Sequence, residues 1–152
     1  MSELNPKLYN YSIYLLAKRD YSRKEMIKKF KEKEYIQSDI EAVMNYLINN
    51  NYQSDERFTR SYINSKLAAK NGLSKIKRTL IFEKGISEDM IEDVLSGIEI
   101  DETDNIVRIL ETKYRTKDLT DFKEKNKAFR YLVSKGFSFD DINDSFLKIK
   151  EL

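Results

Sequence analysis

Two neighbouring segments of opposite charge are the parts of this chain most able to bind another molecule. Residues 57–84 contain eight Lys and Arg residues against one acid, Glu83, whereas residues 85–104 contain eight acids and no basic residue. The net charge of +2 for the whole chain therefore hides a strong separation of charge along the sequence. A basic segment of this kind attracts the phosphates of nucleic acid or an acidic protein surface.

A second basic segment lies nearer the N-terminus. Residues 18–33 contain eight Lys and Arg residues and three acids. One basic segment on its own is usually a solvated helix face. Two such segments followed by an acidic one favour a surface that binds a partner, although charge alone does not identify that partner.

Residues suited to catalysis are scarce. The sequence has no His and no Cys, which removes the commonest general base and the commonest ligands of transition metals. Its four glycines form no phosphate-binding loop or nucleophile elbow. The acids at 88, 89, 92 and 93 have a spacing that could hold Mg²⁺, but a favourable helix dipole explains them more simply. We therefore predict a protein that is not an enzyme and has no cofactor and no bound metal.

Aromatic residues are abundant, with ten Tyr and eight Phe. Some of them could stack on nucleic acid bases. Several instead fall on apolar helix faces or helix junctions, which favours packing in the core. These residues are Phe30, Tyr35, Phe58, Phe137 and Phe146.

The overall composition predicts an all-α protein. The 152 residues include only four Gly and one Pro, and they are rich in Lys, Glu, Leu and Ile. The charged fraction of 36% exceeds the usual value of about 25% and suits an elongated molecule. The start of the chain has no signal-peptide pattern, and the apolar stretch at 9–17 is shorter than the ~20 residues that span a bilayer. We expect a cytoplasmic protein with no membrane association.

One sequence unit occurs three times. Lys84 lies 51 residues after Lys33, and Lys135 lies 51 residues after Lys84. Apolar residues align at this offset, and from the second column onwards they are four and three residues apart, which is one face of a helix. The aligned columns are Tyr35, Ile86 and Phe137; Ile40, Ile91 and Ile142; Met44, Leu95 and Phe146; and Leu47, Ile98 and Ile149.

The repeat predicts a tandem array of three three-helix units, elongated and curved, with boundaries at 1–52, 53–101 and 102–152. Each unit has about 50 residues, which is small enough to depend on its neighbours for stability. The predicted helices lie near 7–19, 23–33, 38–49, 55–70, 73–84, 88–98, 103–115, 120–135 and 139–150.

Local signals mark where these helices begin and end. The segments 22–25 and 38–41 both read as capping boxes, with Ser first and Glu fourth. Ser87 and Ser138 occupy the equivalent entrance in the second and third repeats. Gly85 and Gly136 stand where a positive φ would end the preceding helix. Glu34 fills that place in the first repeat, which leaves room for a different turn there.

The chain resembles the bacterial RecX regulatory proteins over nearly its whole length. The resemblance lies in AKRDYSRKEM (17–26), NYQSDERFTRSYINSK (51–66), GLSKIKRTLIFEKGI (72–86) and FRYLVSKGFS (129–138), in the order and spacing of the family. The chain departs from that pattern at Leu73 and Ser74, where Pro and a basic residue are usual. It also departs at Lys135, where Arg is common.

The resemblance implies a modulator of the RecA recombinase in DNA recombination, DNA repair and the SOS response. RecX proteins lie in the groove of the RecA–single-stranded DNA filament and restrict filament extension, ATP hydrolysis, strand exchange and co-protease activity. On this basis we expect basic side chains to contact the filament or its DNA, without a small-molecule substrate. The expected contact residues are Lys18, Arg19, Lys24, Lys28, Arg57, Arg60, Lys66, Lys70, Lys75, Lys77, Arg78 and Lys84.

Two other functions fit parts of the sequence. Three-helix units with basic helices also resemble helix-turn-helix modules, so the chain could bind single- or double-stranded DNA directly. Acids at the start of the third helix of the second and third repeats argue against that use of these helices. A structural adaptor that meets an acidic protein without touching nucleic acid is the third possibility.

Overall fold

The prediction of an all-α fold is confirmed by a computed structural model that describes residues 4–151. Each predicted helix forms within three residues of its expected bounds, and the described residues contain no strand. The helices are α1 (Pro6–Lys18), α2 (Arg23–Glu32), α3 (Gln37–Asn49), α4 (Asp55–Ala68), α5 (Leu73–Phe82), α6 (Glu88–Leu95), α7 (Glu102–Thr112), α8 (Phe122–Ser134) and α9 (Phe139–Glu151).

The chain divides into two compact units. The first comprises the residues up to Tyr62 together with Leu80–Leu95, and the second comprises Ile63–Thr79 together with the residues from Ser96 onward. The second repeat therefore contributes residues to both units.

The first compact unit has its core among α1, α2 and α3. Helices α1 and α2 both pack on α3, and their apolar faces close over side chains that are almost entirely buried. The aromatic residue Phe30 is fully buried at the centre, as the helix periodicity predicts. The core residues are Leu8, Leu15, Tyr21, Met26, Phe30, Ile40, Val43, Met44 and Leu47.

The second compact unit has its core among α7, α8 and α9. Both α7 and α8 pack on α9. Phe137 and Phe146 are buried in this core, which confirms the expectation drawn from their positions. The core residues are Ile106, Ile109, Leu110, Ala128, Leu132, Phe137, Ile142 and Phe146.

Three of the four aligned apolar columns are buried in at least two repeats. Ile40, Ile91 and Ile142 are each no more than 2% exposed. Ile98 is different, because α6 ends at Leu95 and Ile98 lies beyond the helix. The Ser-Gly pair at 96–97 explains this early end, since both residue types are poor continuations of a helix.

Serine caps begin three of the helices as predicted. At α2 the Ser22 hydroxyl accepts from the Glu25 amide at 3.2 Å, and the Glu25 carboxylate accepts from the Ser22 amide at 3.0 Å. Ser87 and Ser138 each accept a hydrogen bond of 3.2 Å from the amide three residues later. These bonds satisfy backbone donors that the helix itself leaves unpaired.

The predicted capping box at Ser38 and Glu41 is wrong. Helix α3 begins one residue earlier, at Gln37, and Ile36 precedes it without a side-chain cap. Glu41 instead accepts a 3.0 Å hydrogen bond from the Gln37 side chain. Ser38 is thereby inside the first turn, where its hydroxyl cannot act as the cap.

The turns between the second and third helices of the repeats share one backbone conformation and differ in their neighbours. Gly85 has φ 71° and Gly136 has φ 101°, as predicted. A Cβ on Gly85 would lie 2.8 Å from Lys24 Cδ, and one on Gly136 would clash with Lys75 Cβ. Lys24 and Lys75 are 51 residues apart, so the same lysine–glycine contact recurs in successive repeats. Glu34 also has a positive φ of 64°, so its turn has the same backbone conformation, and its side chain is exposed.

Candidate basic interaction surfaces

The twelve predicted contact residues divide between the two compact units. The second basic segment of the sequence is split at this boundary, so the expectation that all twelve form one face stays a prediction. The first compact unit holds Lys18, Arg19, Lys24, Lys28, Arg57, Arg60 and Lys84. The second holds Lys66, Lys70, Lys75, Lys77 and Arg78.

In the first compact unit, four of the predicted residues line one cavity of about 620 Å³, which we call the α2 groove. Lys24 and Lys28 lie on the same face of α2 because they are four residues apart. Lys29 was not predicted and also lines the groove. The complete lining is Arg19, Lys24, Glu25, Lys28, Lys29, Glu32, Phe82, Glu83 and Lys84.

Glu25 organises the floor of the α2 groove. Its Oε2 lies 3.2 Å from Arg19 Nη2 and 2.9 Å from Lys84 Nζ. Burial by itself would raise the pKa of Glu25, but hydrogen bonds from Arg19, the Ser22 amide and Lys84 outweigh it and hold the pKa below its usual range. Arg19 and Lys84 are thus partly neutralised, and they hold the groove together as well as lining it.

Lys24 ties the end of α5 to α2. Its Nζ donates to the backbone carbonyl oxygen of Phe82 at 3.2 Å, and its aliphatic stem lies against Gly85. The Phe82 side chain is 72% exposed although it lines the groove. The groove therefore offers an aromatic ring beside several cations.

Arg57 forms its contacts within the first compact unit. Its Nε lies 3.1 Å from Asp20 Oδ1, and its two terminal nitrogens donate to the carbonyl oxygens of Asn51 and Tyr52. All three nitrogens of the guanidinium are therefore engaged in holding the loop between α3 and α4. We expect Arg57 to stabilise this loop more than it contacts a partner.

Two further predicted residues have neighbours on their own helices. Arg60 forms an exposed ion pair of 3.1 Å with Glu56, one turn earlier on α4. Lys18 Nζ lies 4.2 Å from the centre of the Tyr14 ring, and a hydrogen bond with Tyr14 raises the pKa of Lys18. Pairs of this exposed kind contribute little to stability, so both side chains can reorient towards a partner.

In the second compact unit, two predicted residues belong to a group that we call the Lys135 cluster, formed by Lys66, Lys75, Lys113 and Lys135. Lys135 Nζ donates to the carbonyl oxygen of Ala69 at 3.2 Å. Burial and then the charges of Lys75, Lys66 and Lys113 lower the pKa of Lys135. The other three lysines therefore lie close enough to act on the charge of Lys135, and the four together form a positive patch.

The other predicted residues of this unit lie on α5 and on the loop before it. Lys70 follows α4 with φ 62°, and Arg78 lies exposed on α5. Lys77 faces an acid: its charge acts on the carboxylate of Glu102. These three residues therefore differ in environment although the sequence gives them the same charge.

Glu102 connects the acidic segment of the sequence to the start of the basic helix α5. Its carboxylate accepts a hydrogen bond of 2.5 Å from the Leu73 amide. Burial raises the pKa of Glu102, and although the Leu73 amide lowers it, the neighbouring carboxyl group of Asp141 raises it further. An acid at this position also favours the N-terminus of a helix through the dipole.

The residues that sequence reasoning missed are Phe82, Lys29, Lys113 and Lys135. The repeat contains a signal for Lys135, because it aligns with Lys84, which was predicted. The exposure of Phe82 could have been predicted from helix geometry. This residue lies two residues after the buried Leu80, about 200° around the helix, and therefore on the opposite face.

Neither a metal site nor a membrane span is found in the part of the chain that the structure describes. Within residues 4–151, no three or more His, Cys, Asp or Glu residues are grouped so that they could hold a metal ion. No helix among the same residues is both long enough and apolar enough to cross a bilayer.

Fold and surfaces together define a helical-repeat protein with basic interaction surfaces. Models of the first, second and third three-helix domains of RecX match residues 9–47, 54–95 and 99–145, respectively. These matches cover most of the chain in the order that the family has. The chain therefore belongs to the RecX family.

Curated relatives agree with this assignment. The chain is 33% identical over 137 residues to "Regulatory protein RecX" of Haemophilus influenzae (strain PittEE), covering 90% of both proteins. It is 34% identical over 143 residues to the protein of the same name from Actinobacillus pleuropneumoniae serotype 5b, covering 94% of this chain and 90% of the relative.

Solved structures share the fold. A crystal structure of RecX from Lactobacillus salivarius has a TM-score of 0.77 at 24% identity, covering 96% of both chains. A second crystal structure of regulatory protein RecX has a TM-score of 0.75 at 22% identity, covering 96% of this chain and 72% of the other.

Proposed function

We propose that this protein acts in the cytoplasm on RecA and on the RecA–single-stranded DNA filament, and that it restricts filament extension. Inhibition of ATP hydrolysis, strand exchange and SOS co-protease activity follows from occupation of the filament groove. The observation that carries the proposal is membership of the RecX family along most of the chain. The protein acts by binding and catalyses no reaction of its own.

The basic surfaces supply suitable contacts. The α2 groove and the Lys135 cluster place cations in both compact units, and each can meet DNA phosphates or acidic side chains of RecA. Several modest contacts on one chain add up through effective concentration. Such binding is reversible, as a regulator requires.

Binding to RecA tests the proposal directly. Labelled protein is titrated with RecA alone, with RecA assembled on single-stranded DNA, and with the DNA alone, and its anisotropy is followed. We expect binding to RecA without DNA and tighter binding to the filament. Binding to DNA alone with none to RecA would contradict the proposal.

A charge-reversed variant tests whether the predicted contact residues on α5 bind the filament. Lys75→Glu with Arg78→Glu changes two exposed side chains, and we expect binding to the filament to fall at least ten-fold. Lys77 is left unchanged because a third acid beside Glu102 and Asp141 would destabilise the fold.

The matched control is Lys123→Glu with Lys127→Glu on α8, which changes the net charge equally at two exposed positions outside the predicted face. We expect this control to bind as the wild type does. Equal losses in both variants would mean that net charge and not this face determines binding, and no loss in either would rule the face out.

Direct binding to duplex DNA by a helix in the major groove is the less favoured alternative. Helices α6 and α9, which would take the recognition position, begin with acids, and these would face phosphates. That function predicts strong duplex affinity that falls steeply with salt in the absence of RecA.

A further inference from the structure

We propose that Phe82 is a stacking platform for an unpaired base of single-stranded nucleic acid, whose phosphates bind the lysines of the α2 groove. This inference deepens the proposed function and rests on it for the presence of a single strand. It assigns a specific contact to one side chain that is largely exposed.

Phe82 departs from the pattern of its own helix. Ile76 and Leu80 on α5 are 2% and 0% exposed, whereas Phe82 is 72% exposed. Single exposed apolar residues are common on protein surfaces and need no explanation. Phe82 differs from such residues because it lines a groove whose other side chains are all charged.

The backbone that carries the ring is held firmly. The carbonyl oxygen of Phe82 accepts from Lys24 Nζ at 3.2 Å, and two residues later Lys84 Nζ lies 2.9 Å from Glu25. Gly85 then packs against the stem of Lys24. A backbone that is already held in place need not be ordered when a ligand stacks on the ring, which favours binding.

The charges of the groove suit a ligand with few phosphates. Five cations face three acids along the lining. Glu25 is already paired with Arg19 and Lys84, which leaves the three lysines of α2 for phosphates. The remaining two acids lie among them and disfavour a dense polyanion. Among the described residues these three lysines, Lys24, Lys28 and Lys29, form no ion pair, and Lys24 also donates to the Phe82 carbonyl oxygen; the remaining acids are Glu32 and Glu83.

These features favour a single strand over a duplex. A volume of about 620 Å³ lies within the range of ligand sites, roughly 300–1,000 Å³. In a duplex the faces of the bases are covered by their neighbours, so an aromatic side chain cannot stack on them unless a base is flipped out. An unpaired base exposes its face, and stacking on Phe or Tyr tolerates any sequence.

The absence of Trp from the sequence allows a direct test. Phe82→Trp introduces a single indole into the full-length chain at the proposed contact. We expect its fluorescence to be quenched by oligo-dT at low salt and much less by an abasic oligonucleotide with the same number of phosphates. Phe82→Ala should weaken binding of labelled oligo-dT on the order of ten-fold and leave binding of the abasic strand nearly unchanged.

Phe122 provides the matched control, because it is 75% exposed, lies on α8 and is not one of the residues that line the groove. Phe122→Trp should not be quenched, and Phe122→Ala should bind oligo-dT as the wild type does. Far-UV circular dichroism checks that each variant is folded, which we expect because both rings are largely exposed.

Each result bears on the inference separately from the proposed function. Unchanged oligo-dT affinity in Phe82→Ala, equal quenching by the abasic strand, or no binding of oligo-dT to the wild type would overturn the stacking role. Loss of binding to RecA without DNA in Phe82→Ala, with oligo-dT binding retained, would show that the ring meets protein and would also overturn it. Failure of the wild type to bind RecA would instead contradict the proposed function.

Discussion

At the scale of single residues, the structure separates basic side chains that the sequence treats alike. Arg57 is engaged by Asp20 and by two loop carbonyl oxygens, so it stabilises a loop. Lys28 is also one of the twelve predicted contact residues, and it forms no ion pair within residues 4–151. Which basic side chains can bind a partner therefore depends on which of them already form ion pairs or hydrogen bonds within the protein.

Glu25 is the residue whose loss we expect to be most informative for stability. Glu25→Gln should lower the free energy of unfolding at pH 7 by about 1–3 kcal/mol, because Arg19 and Lys84 lose a partly buried charged acceptor. The folded pKa of Glu25 lies below its usual value. Its contribution is therefore present above the unfolded pKa, about 4.3, and is lost as the pH falls through the folded pKa.

Urea unfolding of Glu25→Gln and the wild type from pH 7 downwards measures this difference. Glu32→Gln is the control, since Glu32 is an exposed acid on the same helix, and we expect it to match the wild type. A gap for Glu25→Gln that stays constant at every pH would show that its charge is not the cause.

At the scale of helices, the fold follows closely from the sequence because its signals are local. The serines at 22, 87 and 138 and the apolar steps of four and three residues act within one or two turns, and the structure confirms them. The box at Ser38 failed because the helix started one residue early.

The candidate site is harder to predict from the sequence, because its contacts join residues that are far apart along the chain. The ion pair between Glu25 and Lys84 joins residues 59 positions apart, and the contact of Lys24 with Phe82 joins residues 58 apart. No helix period or capping rule predicts such pairs. The basic character of the groove was therefore predictable, whereas its aromatic ring and its neutralised cations were not.

The contact between Gly85 and Lys24 can be tested by mutating the glycine. Gly85→Ala should destabilise the fold by about 1–2 kcal/mol, since Ala disfavours φ 71°. It should also push Lys24 aside, because a Cβ would lie 2.8 Å from its Cδ. Urea unfolding measures the first effect, and oligo-dT binding to the α2 groove measures the second.

Glu34→Gly is the matched comparison, because Glu34 has φ 64° in the equivalent turn and is exposed. Glycine relieves the backbone cost there, and we expect this variant to be at least as stable as the wild type. Wild-type stability in Gly85→Ala would mean that neither the conformation nor the contact with Lys24 constrains this turn.

At the scale of the whole molecule, three homologous three-helix domains carry different surfaces. The second and third repeats reuse one turn, in which Gly85 meets Lys24 and Gly136 meets Lys75. Charged residues around these turns vary, so that each compact unit has its own basic surface. A chain of this kind can meet a repetitive partner at more than one place, which agrees with the proposed action on a RecA filament.

ATP hydrolysis by RecA on single-stranded DNA, with this protein added at a small fraction of the RecA concentration, tests that action most directly. We predict strong inhibition at substoichiometric amounts, because one bound molecule blocks extension by many RecA subunits. Inhibition that begins only when the protein is abundant enough to saturate the DNA would indicate simple competition for the strand and would contradict the proposal.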